Sequence, residues 1–251
     1  KSLSLKVIIF GFIFTFFSSF GQSFFIGLFN SSIRETLSIS HGQFGTIYAS
    51  ATLCSSLLVI WIGKKIDDVN VLKFAIFVTI LLSFSSFFFS KISSVVFLFV
   101  AIFLMRFSGQ GMMSHTASTT ISRYFTKSRG RALSMIWFGL SSAEFILPVL
   151  MVYSLTLMAW QNIWIIISIS VLIILPLASY FLVKDVKLDT RETDQDTKFK
   201  EEKIKQWKRI EVLGDYKFYI ISLNMLAMPW IATGVFVYQS FIVNSKGWGE
   251  Y

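Results

Sequence analysis

Long apolar stretches alternate with short polar connections along this chain. Seven stretches, near residues 7–29, 43–62, 74–90, 94–121, 132–158, 162–183 and 217–243, have the length a helix needs to cross a bilayer, about 20 mostly apolar residues. The first is not a cleavable signal peptide, because its apolar run is too long and no small-residue cleavage site follows. The connections stay short until residues 184–216, a polar stretch rich in Lys, Asp, Glu and Gln. The pattern predicts an all-α integral membrane protein with residues 1–183 as a six-helix unit. Residues 184–216 then form a linker, and residues 217–251 begin a second unit with a seventh helix. Within the linker, "KFKEEKIKQWKRIEVL" places Ile204, Trp207 and either Ile210 or Leu213 on one helical face. That segment reads either as a basic amphipathic helix on an anionic leaflet or as a solvated linker.

Composition agrees. Of the 251 residues, 54% are hydrophobic and only 15% charged, against roughly 25% charged in soluble domains. So few charges cannot coat a soluble globule, and the same figures exclude disorder. The formal net charge of +9 would suggest nucleic-acid binding in a soluble protein. Here the basic residues follow the helices. With a cytoplasmic N-terminus, nineteen of the 23 Lys and Arg residues fall on the cytoplasmic side. Arg34, Lys91 and Lys246 fall on the other, and Arg106 lies inside a span. This asymmetry predicts a multi-pass protein of the plasma or inner membrane, with its N-terminus and residues 184–216 in the cytoplasm. It explains the basic charge with no nucleic-acid partner. Cys54 is the single cysteine, so an intrachain disulfide is excluded. His41 and His115 are too far apart in sequence for a zinc-type motif. No cofactor or metal is expected.

Charges inside a membrane are costly, at least ~2.5–3.5 kcal/mol on insertion scales, and only Arg106 and Glu144 sit deep within spans. At ~1.5 Å per residue, Arg106 stands roughly 25 Å and Glu144 roughly 18 Å from the cytoplasmic ends of their helices. That difference is within the combined reach of the two side chains. Gln110, one turn below Arg106, is level with Glu144. One reading is a solute site, with Arg106 as a fixed cation for a carboxylate or phosphate and Glu144 as a proton-carrying carboxylate. The other is a structural ion pair that fixes helix packing. Gln22, beside Gly21 in the first span, contacts either solute or a neighbouring helix. His115 is nine residues from Arg106, on the opposite helix face, and is expected to pack or bond between helices. Gly11, Gly21, Gly27, Gly109 and Gly111 allow close helix approach and local bending, and Pro148, Pro176 and Pro229 mark kinks.

Several junctions resemble the major facilitator superfamily. "GKKIDDVNVLK" (63–73) resembles the family's loop between the second and third helices, with Gly63, Asp67 and Lys73 at matching positions. Asp68 stands where a basic residue is usual, and Asn70 where glycine is usual. "RFSGQGMMSHTASTTISRYF" (106–125) is similar to the fourth helix, an arginine followed by a glycine pair. "RYFTKSRGRALSM" resembles the loop after it, and "AWQNIWI" the Gly-Trp-Arg turn, with Gln161 for Arg. "RIEVLGDYKFYIISLNMLAMPWIATGVFVYQSFIVNSKGW" is similar to the opening of the second half in a bacterial subgroup. "GLSSAEFILP" lacks the full Gly-Pro-Gly-Gly antiporter signature.

The resemblance implies a major-facilitator-type bundle with about seven of twelve helices present. It implies a secondary transporter, by proton coupling or exchange, that works by alternating access around a site near the midplane. It places Gln22, Arg106, Gln110 and Gln239 on the cavity-lining first, fourth and seventh helices. It makes Gly63, Asp67 and Lys73 a gating loop that latches the inward side shut. A small organic anion is the implied solute. The expected partners are that solute, the lipid bilayer, protons through Glu144, and a missing C-terminal half, without which this chain would not transport. A seven-span receptor or a non-transporting scaffold is the competing reading. A light-driven pump fails because the seventh span has no buried lysine for a Schiff base. An enzyme is not expected, since no carboxylate–histidine, metal or Ser–His constellation is present.

Overall fold

The computed structural model describes residues 2–186 and 209–248. Seven helices in it are long and apolar enough to cross a membrane: Ser4–Leu28, His41–Ile66, Val71–Phe89, Val95–Tyr124, Arg129–Leu157, Trp160–Val183 and Tyr216–Val237. They are the first to seventh spans below, and each overlaps a predicted stretch. Their starts are set by polar residues in the connections. The Oγ of Ser40 accepts from the Gln43 amide while the Gln43 side chain accepts from the Ser40 amide, a reciprocal cap that satisfies two otherwise orphaned groups. Asn70, Ser94 and Asp215 cap the third, fourth and seventh spans in the same sense, each accepting from a first-turn amide.

With lipid as solvent, helices are held together by close packing and interhelical hydrogen bonds. The third and sixth spans pack most extensively. Ser83 and Ser168 exchange hydroxyl-to-carbonyl bonds of 2.9 and 2.8 Å across that seam. Next to it Trp164, fully buried, gathers Phe25, Phe29 and Phe89 around its ring. The first and fifth spans meet at Gly139, and the Thr15 hydroxyl bonds across to the Ile136 carbonyl.

The breaks that matter are not at prolines. Pro148, Pro176 and Pro229 all sit inside continuous helices. The first span breaks instead at Ser19–Gly21, a tight 3₁₀ turn, followed by Gln22 in extended conformation (φ −83°, ψ 157°). The fourth span widens into a π-helix over Arg106–Met113, a feature often found at functional sites. The two breaks touch. A β-carbon on Gly21 would lie 2.5 Å from the Gln110 amide nitrogen, and one on Gly109 would lie 2.7 Å from the Gly21 Cα. Only glycine at both positions lets these backbones approach so closely.

The predicted seventh span, 217–243, is shorter in the structure. The helix ends at Val237, turns at Tyr238, and a separate helix runs Gln239–Lys246. The span docks mainly by its C-terminal end. There the Asn30 amide donates to the Val237 carbonyl (2.5 Å), Phe236 packs on Phe24, and the Tyr238 hydroxyl reaches the His41 carbonyl (3.4 Å). Much of its remaining length is exposed, with Trp230 82% accessible. The proposed linker helix lies largely outside the described residues. Only its end, Arg209–Leu213, is described, as a short helix.

Candidate functional site

Gly21 lies where the first span leaves the helical ladder, so its carbonyl has no helical donor. Arg106 supplies one. Its Nη1 donates to the Gly21 carbonyl (3.1 Å) and to the Ser23 Oγ (3.2 Å). Its guanidinium lies 5.4 Å from the centre of the Tyr48 ring, a favourable placement for a cation over an aromatic face. The Tyr48 hydroxyl also donates to Ser23, at 2.9 Å. Arg106 is 4% exposed and its Nε has no partner among the described residues. A buried guanidinium is thus held by a carbonyl, a hydroxyl and a ring.

In front of Ser23 is a cavity of about 160 Å³. It is lined by Gln22, Ser23 and Phe24 of the first span, Gln110 of the fourth, Glu144 of the fifth, and Pro229, Ala232, Thr233 and Phe236 of the seventh. Four spans converge here because the first and fourth are both broken at this level, which turns polar side chains and loosened backbone toward the gap. Gln22, Gln110 and Glu144 therefore share one cavity.

Arg106 and Gln239 are placed differently. Arg106 does not line the cavity. It lies behind Ser23, and its contacts are with Gly21, Ser23 and Tyr48 rather than with Glu144. Height along a helix does not fix which way a widened turn points its side chain. Gln239 is removed from the cavity altogether. The break at Tyr238 resets the helical phase, and the Gln239 amide donates to the Phe24 carbonyl (3.0 Å). It faces a separate opening of about 640 Å³ beside Leu28, Pro148 and Tyr153.

Ser23 and Thr233 are the cavity residues that sequence reasoning missed. Pro229, Ala232, Thr233 and Phe236 follow the i, i+3, i+4, i+7 spacing of one helical face, so extending the face from Pro229 would have found Thr233. Ser23 carries no such signal, because its importance comes from Tyr48 and Arg106 on other helices.

At the opposite end of the bundle from Leu28, the loop after the second span is tied to the fourth. The His115 Nε2 bonds the Gly63 carbonyl at 2.8 Å, and the Arg123 guanidinium donates to the Ile66 carbonyl at 3.4 Å. His115 therefore has the interhelical role expected of it. Lys73 is exposed at the start of the third span. The side chain of Asp67 lies outside the described residues. No cluster of three or more metal-ligating side chains occurs among the described residues.

A profile of the Major Facilitator Superfamily matches residues 11–251, from the first span to the final residue. The chain belongs to the major facilitator superfamily. It is a multi-pass membrane protein of a transporter family, with the all-helical bundle expected of it. No curated protein matches the chain.

Proposed function

We propose that this protein is a secondary active transporter that carries a small organic anion across the plasma or inner membrane by alternating access. What supports the reading is the convergence of Gln22, Gln110 and Glu144 with Thr233 on one small cavity between four spans, beside a buried arginine. Arg106 supplies the fixed positive charge that selects an anion, and the low polarity around it makes that charge act strongly over a short distance. Glu144, the ionisable group on the cavity wall, is the candidate for proton coupling. The loop of Gly63, Asp67 and Lys73 is the candidate gate on the cytoplasmic side, and His115 and Arg123 anchor its backbone. A complementary second half completes the pathway.

The test is uptake of labelled organic acids by the full-length protein in proteoliposomes. Arg106→Gln is expected to lower uptake about 100-fold, the scale of losing charge-assisted hydrogen bonds, while the purified variant keeps its helical content. Normal anion uptake by that variant would reduce Arg106 to a packing residue and remove the anion assignment.

A further inference from the structure

The hydrogen bonds around Ser23 are lopsided. A serine hydroxyl accepts at two lone pairs and donates one hydrogen. Both lone pairs are taken, one by the Arg106 Nη1 at 3.2 Å and one by the Tyr48 hydroxyl at 2.9 Å. The guanidinium has no acceptor and can only donate, and the Tyr48 hydroxyl is oriented as the donor to Ser23. In this arrangement the Ser23 hydrogen has no acceptor among the described residues. Ser23 is 7% exposed, and the face it presents is a wall of the cavity shared with Gln22, Gln110 and Glu144.

We infer that Ser23 is a specificity-determining residue, whose hydroxyl donates to a carboxylate oxygen of the solute and carries the influence of the buried Arg106 charge into the cavity. Hydrogen bonds polarise one another along a chain. A hydroxyl that accepts from a guanidinium and a phenol is a stronger donor than an isolated serine. Arg106 therefore acts on the anion without touching it, and its burial behind Ser23 is compatible with anion selection. The carboxylate is bound at the first-span wall, which leaves the rest of the solute facing Gln110, Thr233 and Glu144. A solute with no acceptor oxygen would leave the Ser23 hydrogen unpartnered, and a buried group left so is costly. This inference rests on the organic-anion reading above.

The experiment measures KM and Vmax for acetate, lactate, oxalate and succinate with the full-length protein in proteoliposomes, together with thermal stability of each purified variant. Ser23→Ala is expected to raise KM about 10- to 100-fold for whichever of these acids is carried, the range for one hydrogen bond to a charged group, with Vmax little changed and the melting temperature lowered because Arg106 and Tyr48 lose an acceptor. Tyr48→Phe removes a neighbour of Ser23 but leaves its O–H, and KM should stay within about threefold of the parent. Ser23→Thr, which keeps the hydroxyl, should restore most of the affinity. If Ser23→Ala leaves KM unchanged while the parent still carries an acid, the inference fails and the anion reading stands. If Tyr48→Phe raises KM as much as Ser23→Ala, the network rather than the donated hydrogen sets affinity, and the inference fails. If the parent carries none of the four acids, the anion reading falls and the role of Ser23 falls with it.

Discussion

A guanidinium in a membrane interior is costly unless it is partnered. At Arg106 the partners are a carbonyl freed at a helix break, a serine and an aromatic face, with the Nε left bare among the described residues. Glu144 poses the complementary problem. It faces the cavity from the fifth span and is not among the hydrogen-bond partners of Arg106. A carboxylate in that position can exchange a proton as the cavity opens to either side. Replacing it by an amide of the same shape isolates the titration from the packing. Glu144→Gln in the reconstituted full-length protein is expected to flatten the pH dependence of anion flux while leaving some exchange. An unchanged pH profile would take Glu144 out of any proton relay.

At the level of elements, the first and fourth spans cross where both are irregular. Their contact is backbone on backbone, at Gly21 and Gly109. Added methyl groups have nowhere to go, because the nearest atoms belong to main chain rather than to side chains that can rotate away. Gly21→Ala and Gly109→Ala are each expected to destabilise the protein by about 1–3 kcal/mol, the usual cost of overpacking. A fall in the melting temperature of the purified protein would register it. Gly130 has nothing within 4 Å of where its β-carbon would stand, so Gly130→Ala is the control and should leave the melting temperature unchanged or slightly raised. The three prolines lie in continuous helices, so proline content alone did not reveal where the helices are interrupted. A glycine facing a glycine across two helices is the better marker, but that pairing is visible only after the helices are packed.

At the scale of the molecule, the charge distribution orients the bundle. Nineteen basic residues on one side of the spans are the ground for proposing that this side is cytoplasmic. Residues 184–216 should then be reachable only from inside the cell. A Lys198→Cys variant in a Cys54→Ala background tests this with a membrane-impermeant thiol reagent. Labelling is expected in permeabilised cells or inverted vesicles and not in intact cells. Labelling in intact cells would reverse the orientation and with it the assignment of the Gly63 loop to the cytoplasmic gate. The seventh span supplies the fourth wall of the cavity while touching the others chiefly at its C-terminal end. A helix docked at one end tilts about that end with little disruption of packing, which suits the moving wall that the proposed alternating access requires.

The number of spans, their approximate limits and several of the polar residues worth suspecting were legible in the sequence. Each depends on composition within one segment: hydrocarbon length, and the rarity of Arg106, Gln110, Gln22 and Glu144 in apolar surroundings. The direction in which those side chains point was not legible. Arg106 turned behind Ser23 because the fourth span widens into a π-helix, and Gln239 left the cavity because the helix breaks at Tyr238. Helical phase accumulates residue by residue, so one irregular turn redirects everything after it. Such a turn is held by contacts with other helices, here Gly21 against Gly109 and Phe24 against Phe236. Tertiary structure alone therefore decided which of the suspected residues meet, and it added Ser23, whose role exists only because two distant helices place hydrogen bonds on its oxygen.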